Sequence, residues 1–92
     1  MSATPRTQLL KDAIVLVSDD RNSVYGPPSH HHTKTAAMWT VLFGHQFTAA
    51  DVCKAFICDK LVRLSVTPDH RDSAVDIAGY AACLWEDQVE TQ

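Results

Sequence analysis

Asp72 and Asp76 stand one helical turn apart inside the stretch Thr67–Asp87, TPDHRDSAVDIAGYAACLWED, which is otherwise apolar enough to form a core helix. At about 100° per residue, Asp72, Asp76, Gly79, Tyr80 and Cys83 fall on one flank, and Ala74, Ile77, Ala78, Ala81, Leu84 and Trp85 cover most of the remainder. Asp76 is therefore flanked by the apolar sector, not centred on a solvated face. A carboxylate in such a position is stable when it is paired, hydrogen-bonded or bound to a metal.

The preceding segment, Asp51 to Val66, supplies the partners. On a helical wheel Lys54 and Ser65 mark the water-facing strip, while Asp59, Lys60 and Arg63 lie roughly opposite and share their sector with Val52, Cys53 and Phe56. If the two helices pack as neighbours, the charged trio faces Asp72 and Asp76 across the seam and makes a mixed-charge site. A structural origin competes with this on equal terms. Asp59 and Arg63 have the i, i+4 spacing of an ordinary intrahelical pair, and Asp72 near a helix start is favourable to the macrodipole. Asp76, a full turn inside the helix, is the residue that the structural origin explains least.

Other side chains carry weaker signals. His30, His31 and His32 are consecutive, so on a helix they diverge by about 100° each and cannot all converge on one ion; one histidine turned toward the acidic helix fits better. His70 precedes Asp72 and serves either the site or the cap of the helix. Tyr25 and Gly26 form either a packed loop anchor or a ring that stacks on a base beside a backbone open to a ligand. Cys53, Cys58 and Cys83 contain no C-x-x-C pair and read as buried small hydrophobes, not as a disulfide framework or a zinc knuckle.

Four helical segments must position these groups, and no strand is expected. Thr4 followed by Pro5 is an N-cap with proline at the first helical position, and Leu9, Leu10, Ala13, Ile14 and Val17 recur at helical spacing. The run Ile14–Val17 also fits a short strand, but no partner strand is in view. SVYGPPSHHH forces a turn or an extended passage. A second helix then starts near Ser29 or His30, with His32, Ala36, Trp39, Leu42 and Phe43 as its inner stripe and Gly44 as its stop. Thr48 opens the third with Asp51 in the manner of a capping box. The third ends before Pro68, and Asp69 or a neighbour caps the fourth, which runs to about Gln88.

The chain has 92 residues, 46% hydrophobic and 21% charged, which fits one all-α domain over 1–92 with 1–4 and 89–92 frayed. A core this small predicts completion by homo-oligomerisation. The net charge of −3 and the scattered Lys and Arg argue against a general nucleic-acid binder. No apolar stretch approaches the roughly 20 residues needed to cross a bilayer, and MSATPRTQLLKD lacks a signal-peptide core, so a cytoplasmic protein without membrane partners is expected.

The sequence of VYG (Val24–Gly26), AAMW (Ala36–Trp39), DKLVRL (Asp59–Leu64) and PDHRDSAVDIAGYAA (Pro68–Ala82) resembles a family of small phage- and prophage-encoded proteins. From Asn22 to Leu84 the chain looks like a distant branch of the MazG-like all-α nucleotide pyrophosphohydrolases. That resemblance implies a four-helix MazG-like bundle in which acids from paired helices, in E-x-x-E and E-x-x-D motifs, hold Mg²⁺ on a nucleoside triphosphate while water attacks between the α and β phosphates.

By position, Asp76 matches the final acid of the second motif. Ser73 stands at that motif's first acid, with Asp72 adjacent, and the first motif falls on Lys60 and Arg63 with Asp59 beside them. Two cations where Mg²⁺ wants oxygen ligands put the usual metal arrangement in doubt. They either contact phosphate directly or neutralise the acids.

The resemblance implies catalytic and metal roles for Asp72 and Asp76; together with the residue-level reading, the candidate ligand contacts are Tyr25, Gly26, Asp59, Lys60, Arg63, His70 and Tyr80. The expected function is binding, with or without hydrolysis, of a nucleotide or nucleotide-like phosphorylated ligand in the host cytoplasm, serving phage metabolism or interference with host defence. The alternative is a catalytically inactive structural or interaction protein of the same fold, acting on a host or phage protein.

Overall fold

The computed structural model describes residues 4–18 and 28–90, and every element among them is helical: α1 (Pro5–Val17), α2 (Pro28–Phe43), α3 (Ala49–Val66) and α4 (Arg71–Glu90). The ends follow from local chemistry. Thr4 caps α1, its hydroxyl accepting the Thr7 amide at 3.3 Å, with Pro5 at the first helical position. α2 starts on Pro28, ahead of the Ser29 or His30 start read from the sequence. It stops where Gly44 turns to φ 65°, a left-handed conformation that glycine adopts without steric cost.

The Thr40 hydroxyl then ties the following loop to α2, donating to Ala36 O at 2.8 Å and accepting from the Phe47 amide at 3.0 Å. Thr48 and Asp51 form the expected reciprocal capping box on α3. Pro68 follows the end of α3, and His70, neighbour to Asp69, caps α4 by accepting the Ser73 amide on Nδ1 at 3.3 Å. The Ser73 hydroxyl shares that nitrogen at 2.7 Å, and the serine is buried.

The helices pack as an open array in the spatial order α1, α4, α3, α2, with the α3–α4 interface the most extensive. α4 approaches α1 closely at Gly79, where a side chain would meet Leu16 Cδ2 at 3.3 Å and Val17 Cγ1 at 3.4 Å. Val52, Cys53 and Ser73 are the most completely buried side chains, and Ala13, Ala36, Val75 and Cys83 extend the core along the array. A ring cluster joins three helices: Phe56 of α3 lies 6.0 Å from His32 of α2 and 5.3 Å from Tyr80 of α4, and Trp39 closes it at 6.0 Å from Phe56.

An open array leaves one side of each helix uncovered, and this corrects part of the inner stripe read for α2. Leu42 and Phe43 are exposed, although His32 and Ala36 of the same stripe are buried. Leu10 and Ile14 of α1 face solvent, as do Trp85 and Ala81 of α4. Cys58 is exposed, while Cys53 and Cys83 are buried as expected. Helix α4 also continues through Val89 and Glu90, beyond the Gln88 end read from the sequence. No helix among the described residues is long and apolar enough to cross a membrane.

Candidate functional site

The α3–α4 seam contains two polar groupings. At one, Lys60 Nζ of α3 reaches Asp76 Oδ2 of α4 at 3.1 Å, with 27% and 28% of the two side chains exposed. Tyr80 follows Asp76 one turn along α4. Burial, then the Asp76 carboxylate, pushes its hydroxyl pKa up, while the Lys60 ammonium opposes that shift. The seam thus brings Lys60, Asp76 and Tyr80 together.

It does not enclose the whole predicted set. Asp59, Arg63 and Asp72 are exposed, so only Lys60 of the charged trio turns inward. The wheel placed all three opposite Lys54; in the open array the outer side of α3 has no helix to cover Asp59 and Arg63. Arg63 has no ion-pair partner among the described residues. His70 is engaged in capping α4. Tyr25 and Gly26 lie outside the described residues. Asp76, the acid expected to hold Mg²⁺, is bound to an ammonium, and a cation at that oxygen opposes a hard divalent ion beside it.

The second grouping is dry and draws on three helices. His32 of α2, Cys53 of α3 and Asp87 of α4 are buried to 3%, 0% and 8% exposure. The Cys53 sulfur lies 3.1 Å from His32 Nδ1 and 3.8 Å from Asp87 Oδ2. Burial, reinforced by the Asp87 carboxylate and by Cys83, pushes the Cys53 thiol up to about 12. Burial also lowers the His32 pKa, against the pull of Asp87. Near neutral pH the pair is therefore a thiol and a neutral imidazole. That is unsuited to nucleophilic cysteine chemistry, which needs a thiolate.

Sequence reasoning put His32 on the inner stripe of α2 and expected one histidine to face the acidic helix, and His32 does. It took Cys53 for a small hydrophobe and gave Asp87 no role. The overlooked signal was register: Asp76, Tyr80, Cys83 and Asp87 recur at three- and four-residue spacing and continue one side of α4 to its end. A concavity among the described residues, an open cleft lined by Thr33, Ala36, Ala37, Thr40, Gln46, Phe47, Thr48 and Ala49, carries no charged side chain, so it offers an anion nothing beyond hydroxyl and amide contacts.

Residues 8–88 match the profile of a domain of unknown function, DUF6378. The chain is 33% identical over 85 residues to the Gene 55 protein of Mycobacterium phage D29, covering 89% of this chain and 56% of that protein. Against the Gene 55 protein of Mycobacterium phage L5 it is 34% identical over 77 residues, covering 83% and 49%. The chain thus spans about half the length of the curated relatives it matches. No solved structure matches it.

Proposed function

The chain belongs to the DUF6378 family, and we propose that it binds a phosphorylated, nucleotide-like small molecule at the outer edge of the α3–α4 seam. The observation that supports this is the pairing of two cations about one turn apart on α3. Lys60 is anchored by Asp76 at 3.1 Å, and Arg63 is exposed without an ion-pair partner among the described residues. A guanidinium in that state is available for a bidentate contact with phosphate, and the neighbouring ammonium adds a point charge.

Asp72 and Asp76, one turn apart on α4, are the groups that would hold Mg²⁺ on such a ligand. In the MazG-like form of the proposal they would support water attack between the α and β phosphates. The Lys60–Asp76 contact weighs against strong metal binding, so the expected behaviour is binding with slow turnover or none.

Calorimetry with nucleoside di- and triphosphates, with and without Mg²⁺ or Mn²⁺, tests the proposal. Binding should be lost in Arg63→Ala and Lys60→Ala while both variants stay folded. No heat with any phosphorylated ligand would sink it. Robust metal-dependent pyrophosphate release, abolished by Asp76→Asn, would instead make the protein a MazG-like hydrolase.

A second proposal rests on a separate observation, the apolar strips left open by the array. On α2, Met38, Val41 and Leu42 share one side and are 70%, 84% and 73% exposed. A second copy of this chain that covers these strips would give a homo-oligomeric bundle. Such an assembly would suit an inactive structural or interaction protein, working in the host cytoplasm on a phage or host partner. Light scattering should give a multiple of the 10.2 kDa chain mass; a monomer at micromolar concentration would remove this alternative.

A further inference from the structure

Asp87 is the least expected member of the dry grouping. It lies in the last turn of α4, where the helix macrodipole disfavours an acid, and it is 8% exposed. Its neighbours in the grouping are His32, whose charged form burial disfavours, and the Cys53 thiol.

The donor geometry of the grouping suits a metal ion. His32 Nδ1, Cys53 Sγ and an Asp87 oxygen all lie within 4.8 Å of one another. A tetrahedral zinc-type ion, with bonds of about 2.0–2.3 Å to nitrogen, oxygen and sulfur, needs such atoms about 3.6 Å apart. The two sulfur distances are 3.1 and 3.8 Å, one below and one above that value. The donors come from three separate helices and meet where α2, α3 and α4 converge.

We propose that His32, Cys53 and Asp87 form a binding site for one borderline-soft divalent ion of the zinc class. Imidazole, thiolate and carboxylate together suit zinc and cobalt, whereas Mg²⁺ and Ca²⁺ take all-oxygen sets, so this site is chemically distinct from any Mg²⁺ position on Asp72 and Asp76. Binding exchanges the Cys53 S–H bond for a sulfur–metal bond and releases the proton to solvent. The thiolate and carboxylate charges then balance the ion, so that the loaded site is neutral. The fourth position falls to water. An ion there joins α2 to α4, two helices that otherwise touch little, and acts as a structural clamp on the open end of the array.

Cobalt titration of the metal-stripped full-length protein tests the site. One equivalent of Co²⁺ should produce a thiolate-to-cobalt charge-transfer band and the intense visible bands of tetrahedral coordination, release about one proton per ion, and be displaced by Zn²⁺. Zn²⁺ should raise the melting temperature and Mg²⁺ should not. Cys53→Ser should abolish the charge-transfer band, and Cys58→Ser should leave it intact. X-ray absorption of the zinc-loaded wild type, which requires no variant to fold, should show sulfur together with nitrogen and oxygen in the first coordination shell. A shell without sulfur, no thermal shift with Zn²⁺, or a band that survives Cys53→Ser would overturn the proposal.

Discussion

Lys60 and Asp76 meet across the α3–α4 interface with about a quarter of each side chain in water, whereas His32, Cys53 and Asp87 meet near the same interface almost fully excluded from it. Solvent separates what the two groupings can do. In the wet pair the mutual attraction of the two groups is partly screened, and one can exchange its partner for a ligand at small cost. In the dry group the thiol is held protonated and the imidazole neutral, so the same interface presents a nearly uncharged polar cluster beside one carboxylate. Water-accessible charge is the raw material of recognition, and buried donors are either structural or wait for a metal.

The sharpest way to break this contrast is to remove one member from each side and compare unfolding in urea. His32→Ala deletes a buried ring that packs against Phe56 and Tyr80 and leaves Cys53 without its near neighbour. It should cost about 2–4 kcal/mol through the cavity and the lost polar contact. Asp76→Asn leaves Lys60 able to turn to solvent and should cost about 1 kcal/mol or less. Equal losses would mean that the seam pair is as structural as the dry cluster, and the case for Lys60 as a ligand contact would weaken with it.

The two regions also differed in how far the sequence disclosed them. Local rules fixed the caps: Thr4, Thr48 with Asp51, and Gly44 each act through atoms within a few residues. The i, i+4 spacing of Asp72 and Asp76 and the meeting of α3 with α4 were legible because they depend on the pairing of consecutive helices. The dry cluster was only partly legible, since its members are 21 and 34 residues apart and belong to non-consecutive elements. Leu42 and Phe43 were assigned inward because hydrophobic periodicity marks a side that seeks cover. It does not say whether the same chain provides the cover.

That uncovered side yields a prediction for which folding and association should part company. Leu42→Lys replaces an exposed apolar side chain in the last turn of α2, where a cation suits the macrodipole, and should change the chain's own stability by no more than about 0.5 kcal/mol. If a second copy covers α2, the same substitution should lower the mass seen by light scattering and leave helicity by circular dichroism unchanged. A variant that unfolds instead would show that Leu42 belongs to the chain's own core, and the apolar strips would lose their meaning as an association surface.

The smallest effect belongs to a third polar contact, wetter than either of the first two. Arg71 at the start of α4 pairs with Asp12 of α1, with 52% and 39% of the side chains exposed, and Gln8 donates to the same carboxylate at 3.0 Å. The Arg71 hydrogen bond, then that from Gln8, lowers the Asp12 pKa below its ordinary 3.8. A carboxyl with a depressed folded pKa contributes its stability fully above the unfolded value and loses it as pH falls toward the folded one. The melting temperature of the wild type should therefore exceed that of Asp12→Asn slightly at neutral pH. The gap should close as the solution is acidified below about pH 4, and added salt should narrow it at any pH above that. If wetness governs these contacts, the gap at neutral pH must also be smaller than that for Asp76→Asn. A larger gap would mean that the α1–α4 junction depends on its ion pair, with the close approach at Gly79 secondary to it.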